Sequence, residues 1–149
     1  MSLVQLLKSN PETILSEVSQ SLARSHLEHY EAEGKTETHY RLSVLYELTL
    51  HCLEQKSTTP MIQYTEKIAR QKYLAGFELF EMQTAFNVLE EVIWKRILTD
   101  MEPNDIVEAI GLISTILGAG KDTLARTYVS LAAQAKAPSV NLKALFAGT

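Results

Sequence analysis

Three of the chain's four histidines, His26, His29 and His39, fall in the stretch HLEHYEAEGKTETHY with four glutamates and two tyrosines. On a helix, His26 and His29 are three residues apart and share a side, and His39 can join them across a turn at Gly34, so a shared metal is geometrically allowed. Helical zinc sites, however, use H-E-x-x-H, and di-iron bundles carry E-x-x-H on two helices. Neither spacing occurs. A solvated helix-turn-helix corner is the favoured reading, since histidine near a helix C-terminus also suits the helix dipole. His51, beside Cys52 on an apolar helix, has the residue type of an axial haem ligand, but one histidine specifies haem weakly. No metal or cofactor is expected.

Other catalytic patterns fail on inspection. Gly118-Ala119-Gly120-Lys121-Asp122-Thr123 resembles the end of a phosphate-binding loop, yet Thr115 stands where the first glycine belongs and Asp122 where the hydroxyl belongs. No G-x-S-x-G elbow is present, and Cys52, the single cysteine, lacks a protease signature. Glu90 and Glu91 are adjacent on a helix and point in different directions, so they do not form an acid-base pair. Enzymatic activity is not expected.

The elements that must position these residues are helical, with no sustained period-2 alternation. Asn10-Pro11 opens a first long helix, with Ile14, Val18, Leu22 and Tyr30 as its buried stripe and Gly34 as its end. A second runs from Thr36–Thr38 to about Lys56, with Tyr40, Val44, Leu45, Leu48 and Cys52 on one face; apolar residues on its other faces mark it as central. Thr59-Pro60 opens a third, burying Ile62, Ile68, Ala69 and Tyr73 and stopping at Gly76. The fourth, Glu78 to Thr99, places Leu79, Met82, Phe86, Leu89, Ile93 and Ile97 at intervals of three or four. The expected fold is all-α, a single bundle of about five helices, with globin-like packing as one option, over residues 1–137. A tail of residues 138–149 would dock on the body or lead to a partner.

The last helix, from Asn104 to about Gln134, carries two registers. Ile110, Leu117, Leu124 and Leu131 recur every seven residues, with Ile106 and Ile113 four residues ahead of the first two, as in a coiled-coil seam. Gly111, Gly118, Ala125 and Ala132 form a second stripe of the same period. The leucine stripe keeps its phase through Gly118-Ala119-Gly120, which predicts one continuous helix despite the cost of interior glycine. Close packing inside the bundle is the first reading of the small stripe, and a homodimer seam the second.

At 149 residues the chain has the length of one domain, and its 46% hydrophobic and 21% charged content is that of a folded globular protein. A net charge of -4 gives no electrostatic reason to expect nucleic acid or an anionic membrane as partner. A lone cysteine and the absence of a secretory pattern at the N-terminus point to the cytoplasm, and the longest uncharged run is too short for a membrane span.

With the helices placed, the segment from Ile68 to Glu81, followed by Ile93-Trp94, resembles the N-terminal sensory domain of the RsbRD type, found on stressosome co-antagonists and related bacterial regulators. Lys72, Gly76, Phe77, Leu79, Glu81, Ile93 and Trp94 match its pattern, although arginine is more usual where Lys72 stands. Ser25-His26 to Tyr30-Glu31 is similar to the family's first-helix end, and Arg126-Thr127-Tyr128 to its closing Arg-x-Tyr. The resemblance covers roughly Ile14 to Leu131. It implies a non-enzymatic input module for signal transduction in a stress response, one that forms a dimer and passes its signal to an output domain. Here only the short tail follows, so either the chain acts on a protein partner in trans or it is a free-standing module whose job has diverged. A ligand or partner that favours one of two helix packings is the expected signal, its identity open, and a structural subunit of a larger complex is the alternative.

Overall fold

The computed structural model describes residues 1–136, which are all-α without a strand. Seven helices follow one another: α1 (Leu3–Ser9), α2 (Pro11–Arg24), α3 (Glu28–Glu33), α4 (Lys35–Gln55), α5 (Thr59–Leu74), α6 (Leu79–Asp100) and α7 (Pro103–Lys136). They form a helical bundle closed by the 34-residue α7. The tail expected over residues 138–149 lies outside the described residues.

Two departures raise the count above the five helices that punctuation suggests. The apolar start of the chain forms α1, capped at Ser2, whose hydroxyl accepts from the Gln5 amide while the Gln5 side chain accepts from the Ser2 amide. Leu6 and Leu7 bury fully, and Tyr46 Oη donates to the Leu7 carbonyl at 2.7 Å, anchoring α1 to α4. The first long helix is divided in two, because α2 stops at Arg24 and His26 adopts a left-handed conformation with φ 50°. The Ser25 and His26 amides bond back to the Leu22 and Ala23 carbonyls, and the chain restarts as α3 in a new direction. No glycine or proline marks this break.

The expected stop at Gly76 is present, and Pro103 opens α7 one residue before the expected start at Asn104. Gly76, at φ 89°, and Phe77 close α5 as a Schellman motif: the Gly76 amide donates to the Tyr73 carbonyl and the Phe77 amide to the Lys72 carbonyl. Lys56, at φ 53°, performs the same turn after α4 without a glycine.

The core sits where α4 and α6 pass through the middle of the bundle. α4 touches every other helix, as its apolar distribution predicts, although Tyr40 at its start is 57% exposed and lies outside the core. Met82, Phe86, Leu89, Ile93 and Ile97 of α6 are buried against Ile14, Val18, Met61, Ile113, Leu117 and Leu124. Each such side chain is worth about 1.5–3 kcal/mol of transfer free energy.

α7 is unbroken through Gly118-Ala119-Gly120, and its leucine stripe faces its own bundle. At the two glycines of its small stripe the packing is open: a Cβ at Gly111 or Gly118 would meet nothing within 4 Å, while Ala125 and Ala132 are half-buried. The close approach is made by Gly120, where a Cβ would stand 2.6 Å from Phe86 and 3.1 Å from Met61 Sδ. Gly118 and Gly120 are two residues, or about 200°, apart, which puts them on opposite faces of the helix.

Candidate functional site

Four helices meet at the α5–α6 turn, and there the fold gathers most of the residues that the resemblance singles out. Tyr30 of α3, Lys72 of α5, Gly76 and Phe77 of the turn, Glu81 of α6 and Tyr128 of α7 form one largely buried polar and aromatic cluster. They are separated by up to about a hundred residues in sequence.

Glu81 is its centre. Its carboxylate accepts the Glu78 amide at 3.1 Å, which caps α6, and the His29 amide at 2.9 Å, which grips the start of α3. The same group accepts from His29 Nδ1 at 2.6 Å. Burial alone would raise the Glu81 carboxyl, but the two amides and the imidazole outweigh it and hold it below the usual carboxylate value. An ionised carboxylate only accepts, so the proton between them belongs to His29 Nδ1, leaving Nε2 beside Gly76. A side chain at Gly76 would reach Nε2 at 3.4 Å on a positive-φ backbone.

The other end of α3 is held by Lys72, whose Nζ lies 2.6 Å from Glu33 Oε1 and 4.2 Å from the centre of the Phe77 ring. Lys72 is buried and Glu33 half-buried, and Glu33 Oε2 has no hydrogen-bond partner. Between these two pins, Tyr30 sits edge-on to Phe77 at 5.2 Å, its hydroxyl toward Met82 Sδ. Burial, then Glu33 and Glu81, push the Tyr30 phenol well above its ordinary value. Tyr128 closes the cluster from α7: its hydroxyl donates to the Phe77 carbonyl at 2.9 Å and its ring meets Tyr73 edge-on. Burial, Glu81 and Tyr73 push that phenol up to about 12.

The remaining expected positions lie elsewhere. His26 is exposed and pairs with Glu31 at 3.0 Å, so within the sequence cluster it is His29, not His26, that enters the site. Trp94 packs against the core with its indole Nε1 buried and unpartnered, and Arg126 is exposed and paired with Asp122. His39 faces Glu12 at 3.9 Å, which leaves His26, His29 and His39 on three different carboxylates. No group of three or more metal-ligating side chains is gathered among the described residues. His51 is exposed on α4, and Cys52 is buried, its thiol pushed up by that burial.

The lysine of the glycine-rich segment has a structural partner. Lys121 Nζ lies 3.1 Å from both Glu90 Oε1 and Asn87 Oδ1, tying α7 to α6, while Glu91 points outward to Lys95. Chemically, the α5–α6 cluster is a clasp: its groups are spent on one another, and they join α3 to α5, α6 and α7. Sequence spacing marks His29 only as a candidate metal ligand and does not mark Glu33, because their partners are 52 and 39 residues away. No helix among the described residues is long and apolar enough to cross a membrane. Searches against family models, curated proteins and solved structures return no match.

Proposed function

We propose that the chain is a non-enzymatic signalling module of the RsbRD type, a bacterial cytoplasmic input domain in a stress response that pairs with a second copy and acts on a protein partner in trans. The observation that carries this reading is the outward face of α7. Val107, Gly111, Gly118, Ala125, Val129 and Ala132 fall within one narrow strip of that helix, roughly 37 Å long, interrupted by Ser114 and Asp122, with Gly118, Ala125 and Ala132 half-buried. Val107 is 83% and Val129 66% exposed. A long strip of small and apolar side chains lets a second helix approach closely, and an exposed apolar patch of this kind marks an interaction surface.

The clasp supports the same reading, because it links α3 and the α5–α6 turn to α7 through Tyr128. A change in how α3 sits therefore has a physical route to the pairing helix. Sedimentation equilibrium of the wild type and of Gly118→Trp tests the proposal. A wild-type dimer that becomes a folded monomer in the variant is the expected result. A wild-type monomer, or a variant dimer of unchanged affinity, would reject the α7 face.

A further inference from the structure

A groove of about 470 Å3 opens between the end of α2 and the start of α4, with α3 along its side. Leu22, Leu27 and the ring of Tyr30 line its buried part, and Thr38 and His39 face them from α4. Its wall includes Ser19, whose Oγ is buried without a hydrogen-bond partner.

We propose that this groove binds a small neutral molecule, an aromatic or short aliphatic body with a single hydroxyl, aryl amine or carbonyl, and that α3 reads its occupancy. The inference rests on the signalling role above and adds the class of signal. The volume lies in the range of about 300–1,000 Å3 typical of small-molecule sites, and the lining is mainly apolar with a few polar atoms, as such sites are. Glu31 and Lys35 place one charge of each sign at the rim, so the groove offers no net charge to a charged ligand. A charged group pressed against Leu22, Leu27 and Tyr30 would lose its hydration without a counterion. One hydrogen-bonding group on the ligand would serve Thr38, whose hydroxyl otherwise reaches only the Tyr30 carbonyl at 3.5 Å.

The groove and the clasp share α3. Tyr30 lines the groove and packs its ring on Phe77 at 5.2 Å, while His29 and Glu33 hold the same short helix to Glu81 and Lys72. The turns at either end of α3 are His26 at φ 50° and Gly34 at φ 94°, so the helix is a separate piece between two sharp reversals. An occupant that moves Tyr30 must repack Phe77, whose carbonyl holds Tyr128 of α7. It signals only by preferring one placement of α3 over another.

The test is a fluorescence titration of the full chain with 1-aminoanthracene, a neutral arene amine that brightens in apolar surroundings, with 1-octanol as competitor. Saturable binding displaced by 1-octanol is expected, weakened about tenfold or more by Ala23→Trp and by Lys35→Trp, which fill the groove from α2 and α4 at exposed positions. Hydrogen exchange should slow in α3 and over residues 74–79 when the probe is bound. Absence of saturable binding, or affinity unchanged in both tryptophan variants, would overturn the site; binding without any change in exchange over 74–79 would overturn the role of α3. Loss of the site with the dimer intact leaves the signalling module standing, whereas a wild-type monomer that binds the probe rejects the paired module and keeps the groove.

Discussion

Glu81 accepts two hydrogen bonds from His29, from its amide at 2.9 Å and its ring Nδ1 at 2.6 Å, across 52 residues of sequence. That contact fixes the start of α3 against the start of α6. Because the Glu81 carboxyl is depressed in the folded protein, its contribution is complete above the ordinary value of 4.5 and is lost as pH falls through its folded value. Glu81→Gln should cost about 2 kcal/mol at pH 7, the worth of hydrogen bonds to a charged group. Urea denaturation of both proteins at pH 7 and at pH 4 and below should show the difference shrinking with acid; a pH-independent difference would refute the assignment.

Lys72 is buried and pairs with the half-buried Glu33, one of whose carboxylate oxygens already lacks a partner. Lys72→Met should therefore destabilise by at most about 3–5 kcal/mol, the cost of leaving a fully buried charge uncompensated. Adding Glu33→Leu should restore most of that loss, since replacing both members of a buried pair by apolar side chains is often neutral. Equal destabilisation by the single and double variants, in chemical denaturation, would show that the pair is not the reason.

The glycines of α7 should respond oppositely to the same change. Gly111→Ala and Gly118→Ala meet open space and should each stabilise the monomeric fold by up to about 1 kcal/mol through helix propensity. Gly120→Ala puts a methyl 2.6 Å from Phe86 and should destabilise by about 1–3 kcal/mol from overpacking, less that propensity gain. Thermal melts at low protein concentration separate the two; a stabilised Gly120→Ala would mean that α6 yields more readily than its packing suggests.

Tyr128→Phe removes the donor to the Phe77 carbonyl while keeping the ring against Tyr73. A loss of about 1–1.5 kcal/mol is expected, with faster hydrogen exchange at the α5–α6 turn. Faster exchange only within α7 would indicate that the bond does not hold the turn.

His26→Gly relieves a left-handed backbone at an exposed position and should stabilise by about 1 kcal/mol, after losing an exposed contact with Glu31 of little worth. A lower melting temperature would mean that the pairing with Glu31 is needed to turn the chain into α3.

Local chemistry made much of the fold legible. Pro11, Thr59-Pro60, Gly76 and Pro103 mark helix ends because they constrain φ or remove a donor wherever they stand, and the stripes of α6 and α7 show their buried sides through simple period. The break at Ser25–His26 was not legible: any residue can be forced into positive φ when packing on both sides outweighs a cost of about 1–2 kcal/mol. The small residues of α7 were visible as a pattern, yet which of them met another helix was not. Gly120, outside the heptad stripe, is the one pressed on Phe86, while Gly118 faces outward. Tyr30, Lys72, Gly76, Phe77, Glu81 and Tyr128 were marked by resemblance, but their meeting at one turn, and the choice of His29 over His26, came from tertiary structure alone. A sequence determines which side chains can accept, donate or fill space; partners 39 to 52 residues away are assigned only when the helices pack and burial makes each unpaired group costly.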